Sequence, residues 1–202
     1  MAPLRFLHAI ALLAMLLIAW FASLVPAHAQ SGDEFAALTA QMIQLHQAGR
    51  YSEAITIGQR ALALAESRHG PDHPLVGTAL NNLGMAYRAQ GRLAEAEPVY
   101  TRYLGIREKT LGPDHPNVAT ALNNLALLYK TQGRLREAER LYKRSLEIRE
   151  KALGPDHAQV GTSLGNLALL YHAEGRFAEA EPLAKRDLAI REKAPGPDQL
   201  DL

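Results

Sequence analysis

The chain contains no cysteine. That excludes disulfides, thiolate metal sites, thiol catalysis and lipid attachment through an N-terminal Cys. Neither sign of charge dominates: 22 Lys and Arg face 21 Asp and Glu, a formal net charge of +1. A general nucleic-acid binder would carry a clear basic excess, so that class is disfavoured. No alternating strand pattern occurs, and no Gly-rich phosphate loop, nucleophile elbow or zincin spacing is present. An enzyme would need one non-repeating constellation of reactive groups, and none stands out, so no catalytic residue and no cofactor are expected.

Only one long apolar run exists, from Ala9 to Val25, preceded by Arg5 as the single formal charge before residue 30. Pro26-Ala27-His28-Ala29 follows, and Ala27 and Ala29 fit the small-x-small pattern of a signal peptidase site. Residues 1–29 read as an export signal cleaved after Ala29, which places the rest in the periplasm or outside the cell. The alternative is an uncleaved inner-membrane anchor, since residues 4–25 approach the roughly 20 needed to span a bilayer. Both readings put the remainder outside the cytoplasm. Cleavage removes Arg5 and no acid, which leaves a formally neutral chain. A long array with a continuous core needs no disulfides in that compartment.

What the chain has in abundance is repetition. Gly-Arg recurs at Gly49, Gly91, Gly133 and Gly175, and Gly-Pro-Asp at Gly70, Gly112, Gly154 and Gly196, both every 42 residues. Residues 75–116 and 117–158 align without gaps at 27 identities in 42 positions. A period in the range of about 20–50 residues means a solenoid or an array. Within 117–158, Leu122, Leu125, Ala126 and Tyr129 fall at i, i+3, i+4, i+7, one face of a helix. Gly133 then stops that helix. A second periodic run, Leu135, Ala138, Leu141, Tyr142, Leu146 and Ile148, ends at Leu153-Gly154-Pro155-Asp156, where Pro cannot continue a helix. Each unit is therefore helix, tight turn, helix, longer turn.

These residues carry a resemblance. Leu122-Asn123-Asn124-Leu125-Ala126, Gln132-Gly133-Arg134, Glu137-Ala138-Glu139, Ile148-Arg149-Glu150-Lys151 and Leu153-Gly154-Pro155-Asp156-His157 resemble the tetratricopeptide repeat of the kinesin-light-chain type. The likeness spans about residues 34–198. It implies an all-α, right-handed solenoid of about four helix-turn-helix repeats (33–74, 75–116, 117–158 and 159–198) within 30–198, followed by a tail at 199–202. It also implies that the first helix of each unit lines the concave face, and that the chain binds other proteins rather than driving a motor.

The copies differ. Repeat one has Gln41 where Leu83, Leu125 and Leu167 stand, and repeat four has Asp187 where Tyr103 and Ser145 stand. No polar capping helix follows repeat four, which hints at exposed apolar surface and self-association there. Small Ala54, Ala96, Ala138 and Ala180 mark close helix crossings, and Pro98 and Pro182 each remove one early helical hydrogen bond.

If Leu122, Leu125, Ala126 and Tyr129 face the core, Thr120, Asn123, Leu127 and Lys130 form the adjacent stripe. Thr78, Asn81, Met85 and Arg88 are their equivalents one repeat earlier, and Ala36, Thr39, Ile43 and His46 two repeats earlier. Thr162, Gly165, Leu169 and His172 follow in repeat four. Stacking produces a ladder of His46, Arg88, Lys130 and His172, and another of Asn81 and Asn123. Amides, cations and apolar side chains together suit an extended, acidic peptide. The competing reading is a solvated face with no specific ligand, with Asn82, Asn124 and Asn166 bracing neighbouring repeats. No metal site is expected. His73, His115 and His157 belong to the repeating turn, with Asp72, Asp114 and Asp156 expected to bond backbone amides. The Glu-Ala-Glu runs at 95–97, 137–139 and 179–181 repeat uniformly and are not paired catalytic acids. The expected function is an exported, non-catalytic scaffold holding a partner peptide. The alternative is a membrane-anchored or self-associating adaptor that assembles through its solenoid ends.

Overall fold

The computed structural model describes the backbone of residues 27–193 and the side chains of residues 34–193. Eight helices occur among the described residues: α1 (Ala27–Gln47), α2 (Tyr51–His69), α3 (Pro74–Ala89), α4 (Leu93–Leu111), α5 (Pro116–Thr131), α6 (Leu135–Leu153), α7 (Ala158–Ala173) and α8 (Phe177–Lys193). The expected signal or anchor lies outside them, apart from residues 27–29 at the start of α1. No described helix is long and apolar enough to cross a membrane.

Two turn types alternate. The short turn ends the odd-numbered helices at Gly49, Gly91, Gly133 and Gly175, with φ between 71° and 80°. The next residue closes the turn. Arg92, Arg134 and Arg176 donate their backbone N–H groups to the carbonyls of Tyr87, Tyr129 and Tyr171 at 2.8–2.9 Å. Left-handed backbone plus this long-range bond is the Gly-terminated helix stop. The longer turn places Gly70, Gly112 and Gly154 after the even-numbered helices at φ 85–86°.

One expectation about that turn is corrected. The side chains of His73, His115 and His157 cap the next helix, each Nδ1 accepting from the N–H of Leu75, Asn117 or Gln159 at 3.1–3.2 Å. The preceding acids point elsewhere: Asp72 pairs with Lys109, Asp114 with Lys151 and Asp156 with Lys193, one repeat on. The imidazole sits at the N-cap with extended backbone, so it has the shorter reach to the free N–H groups of the first turn.

Consecutive helices form hairpins, α1–α2 to α7–α8, and each even helix also packs on the odd helix that follows. The crossing alanines are sealed: Ala54, Ala96 and Ala138 are wholly buried, and Ala180 nearly so. Leu122, Leu125 and Ala126 are buried as expected, and so is Leu128. Tyr129 is half-buried, because its ring lies under Arg134 at the boundary with the preceding repeat. Odd helices are tied directly to one another: Asn124 Nδ2 donates to Asn81 Oδ1, and Asn166 Nδ2 to Asn123 Oδ1, both at 2.7 Å. Even helices are joined to one another by long side chains, Arg102 to Glu66, Arg144 to Glu108 and Arg186 to Glu150. Short ties thus run along the odd helices and long ones along the even helices.

Two glycines give opposite predictions. A Cβ at Gly84 would sit 2.7 Å from the buried Tyr100 ring, whereas one at Gly105 meets nothing within 4 Å. Gly84→Ala is expected to destabilise by about 1–3 kcal/mol. Gly105→Ala is expected to stabilise by about 0.5–1 kcal/mol through helix propensity. Urea unfolding of the two variants beside the parent measures both.

Candidate partner-binding face

The expected binding stripe lies on the inner helices, but most of it is part of the seams between repeats. Thr78, Asn81, Met85 and Arg88 on α3, and Thr120, Asn123, Leu127 and Lys130 on α5, are all half-buried. The amide oxygens of Asn81 and Asn123 are already taken by Asn124 and Asn166. Thr120 Oγ1 accepts from Arg149 at 3.2 Å, and Met85 and Leu127 pack against the core. Only the Nδ2 groups of Asn81 and Asn123 remain for a ligand, and the Asn81 group lies 3.8 Å from Met85 Sδ. Asn124 and Asn166 brace neighbouring repeats as expected. His172, on α7, is exposed and meets Phe177 edge-on at 5.1 Å between centroids.

Two cations of the stripe belong to a minority that no acid pairs among the described residues, together with Arg60, Arg107, Arg136, Arg140 and Arg149. Arg88 and Lys130 have no acidic partner among the described residues, while most other Arg and Lys side chains do. Arg88 Nε and His46 Nδ1 are buried without a hydrogen-bond partner among the described residues. The reason is visible in the helices themselves: α3, α5 and α7 contain no Asp or Glu at all. Burial pushes the Tyr100 and Tyr142 hydroxyls up to about 12, and the positive charge of Arg88 opposes that rise in both. Between α1 and α3 a small hollow of 140 Å³ is lined by Met42, Ile43, His46, Gln47, Asn82 and Met85. His46 of the expected ladder and Met85 of the expected stripe thus meet at one apolar slot.

Three side-chain groups at the seams were missed by periodicity alone. The Arg of the last two Gly-Arg pairs is a clamp: Arg134 lies 3.9 Å above the Tyr129 ring and Arg176 4.0 Å above Tyr171. Arg134 bridges its own Glu137 and the preceding repeat's Glu97, and Arg176 bridges Glu179 and Glu139. The recurrence of Gly-Arg with Glu three residues later was the available signal. Arg149 is buried without an acid, bonding Gln159 O, Ser163 Oγ and Thr120 Oγ1, and burial lowers its pKa. Ser145 is buried with its hydroxyl on Ala119 O. Among the described residues no cluster of His, Asp or Glu could hold a metal; His69 and His73 stack at 4.4 Å instead.

Stacked helical hairpins with interdigitated seams define an α-solenoid repeat protein. The tetratricopeptide repeat family model matches residues 36–109, 104–151 and 132–193, and the chain belongs to that family. Its repeats are of the kinesin-light-chain-like type. The crystal structure of BtubC (BKLC) from P. vanneervenii is similar over 81% of this chain, at TM-score 0.71 and 25% identity. This chain spans 66% of that protein's length. A kinesin light chain protein with nearly identical TPR-like repeats from Podosopora anserina is similar over 82% of this chain and 78% of that one, at TM-score 0.69 and 26% identity. A single-substitution variant of it is similar over 80% and 76%, at TM-score 0.70 and 27% identity. No curated protein sequence matches the chain.

The seam carries a pH prediction. Arg176, with Lys143 and Tyr171 assisting against partial burial, holds the Glu139 carboxyl at about 2 instead of 4.5. The folded state thus favours the ionised form, so this stabilisation is complete above about pH 4.5 and is lost as pH falls towards 2. Solvent screening limits it to about 1–2 kcal/mol. Glu139→Gln is expected to lower the melting temperature at pH 7, with the difference from the parent shrinking in acid. A difference that stays constant between pH 7 and pH 3 would remove the carboxylate from the seam's energetics.

Proposed function

We propose that the chain is a non-catalytic scaffold, exported by residues 1–29, that holds an acidic, extended segment of a partner protein along its inner helices. Tetratricopeptide repeats bind proteins and peptides, which gives the class of function. The observation that supports the finer reading is the charge of the inner row. α3, α5 and α7 carry no acid, and their basic side chains are Arg88, Lys130 and His172. Carboxylates on a ligand would supply the partners that Arg88 and Lys130 do not have within the chain. Asn123 Nδ2, and the N–H of Asn81 Nδ2 that does not point at Met85 Sδ, can donate to the ligand's backbone, and the slot at Ile43, His46 and Met85 can take an apolar side chain.

The test uses a fluorescein-labelled peptide of alternating Asp and Leu, with a Lys and Leu peptide as the charge control. The acidic peptide is expected to bind and to weaken as salt rises. Arg88→Glu with Lys130→Glu is expected to lower its affinity about tenfold or more and to flatten the salt response. Equal binding of the two peptides, or an affinity indifferent to the double charge reversal, would remove the inner row as the site.

A further inference from the structure

In the interior hairpins the side facing the next repeat is covered by the following odd helix. Among the described residues none covers that side of α7–α8. A groove of 690 Å³ lies there, lined on α7 by Leu169 and His172 and on α8 by Phe177, Ala184 and Leu188. Three of the five exposed large hydrophobic side chains of the described residues, Leu169, Phe177 and Leu188, gather on this one face.

The groove is deeper than simple loss of a neighbour would make it. Ala184 stands where Tyr100 and Tyr142 fill the interior seams, each only 1% exposed. Gly165 stands where Asn81 and Asn123 accept from the next repeat, so the amide tie is missing as well. Asp187 replaces Tyr103 and Ser145 and lies over Gly161 and Gly165, where a Cβ would come within 2.9 and 2.7 Å of its carboxylate. Its Oδ1 accepts from Arg191 Nε at 2.7 Å. This face is built differently from an interior seam and does not ask for a fifth repeat of the same kind.

The opposite end of the array does not match it. α1 carries Gln41 and Gln44, both exposed, where α7 carries buried Leu167 and Leu170. Stacking copies head to tail would bury those two amides against Leu169 and Leu188 without partners, a costly arrangement.

The face does match itself. Along α8 the outward stripe reads Glu181, Ala184, Leu188 and Arg191, at spacings of three, four and three. Reversed, the same spacings recur. An antiparallel pair of α8 helices therefore sets Glu181 against Arg191 of the second copy and Ala184 against Leu188 of the second copy, both twice over. Acid meets base and large meets small in a single register. From this geometry we propose that α7 and α8 form a two-fold, isologous interface with a second copy of this chain, with the two α8 helices antiparallel. Leu188 of each copy fills the hollow above Ala184 of the other, and Leu169 and Phe177 close the apolar contact. His172 belongs both to this groove and to the inner row, but Arg88 and Lys130 lie outside the groove, so the peptide test at those two cations and the cross-linking test on α8 can fail separately.

The absence of cysteine makes the test direct. Full-length chains with two different tags are prepared, one carrying Ala184→Cys and the other Leu188→Cys, mixed and oxidised. A matched pair carrying Ala63→Cys, an exposed position on α2, reports encounters that do not use this face. The disulfide-linked species joining the two tags is expected to exceed the Ala63→Cys level about tenfold. Glu181→Arg in both chains, or Arg191→Glu in both, is expected to abolish that excess, because like charges then face one another. Glu181→Arg in one chain and Arg191→Glu in the other is expected to restore it. A yield no higher than at Ala63, or one that ignores the pattern of charges, overturns the proposal. Covering of α7–α8 by residues of the same chain gives the first of those results.

Discussion

The structure depends on the contact between each even helix and the odd helix that follows it. A two-helix hairpin cannot bury its own apolar face, so every repeat borrows a wall from the next. Tyr100 and Tyr142 show what this requires. Each is a large side chain at 1% exposure, placed on an even helix where two repeats meet. Inside its own hairpin the Tyr100 ring leaves room only for glycine at Gly84, where an added Cβ would come within 2.7 Å of it. The two Gly-based turns then do one job: they return the chain to the same register every 42 residues so that these seams superimpose.

The polar chemistry follows from the same contact. A seam that buries apolar area also traps the polar groups beside it, and those groups must be satisfied. Arg134 and Arg176 satisfy Glu97 and Glu139 while covering a tyrosine ring, so one side chain seals the edge of the apolar contact and neutralises the acid. Arg149 does the equivalent deeper in the array with three neutral oxygens. α3, α5 and α7 carry no acid, so this pairing does not extend along them. In the function proposed above, partner binding and seam building would draw on the same residue types.

The period made the helices, both turns and the crossing alanines legible, because each is a local feature with a fixed offset. The stripe at Thr120, Asn123, Leu127 and Lys130 was also legible as a face of a helix. Its burial was not. Helical spacing says which residues share a face and not how closely the next helix approaches it, so the oxygens of Asn81 and Asn123 read as ligand groups although a neighbouring repeat occupies them. The His of Gly-Pro-Asp-His was assigned to the turn correctly while its Asp received the capping role, because sequence gives the order of residues in a turn and not their directions. The clamp at Arg176 spans 37 residues to Glu139, beyond any local pattern.

The seams are not equal. At the first one Thr39 replaces the accepting Asn, and its buried Oγ1 has no hydrogen-bond partner among the described residues. Ile55 stands where Glu97 and Glu139 stand, so Arg92 bridges its own Glu95 and no acid in repeat one. The two later seams have both the amide tie and the Arg clamp on the preceding Glu, whereas the first is tied by Arg102 on Glu66, Gln59 on the Tyr87 hydroxyl and Gln90 on Ser52. The first seam is thus held by a different set of side chains from the later two. Repeats of equal length are therefore not interchangeable: a copy moved to another place in the array would meet a neighbour lacking its partners.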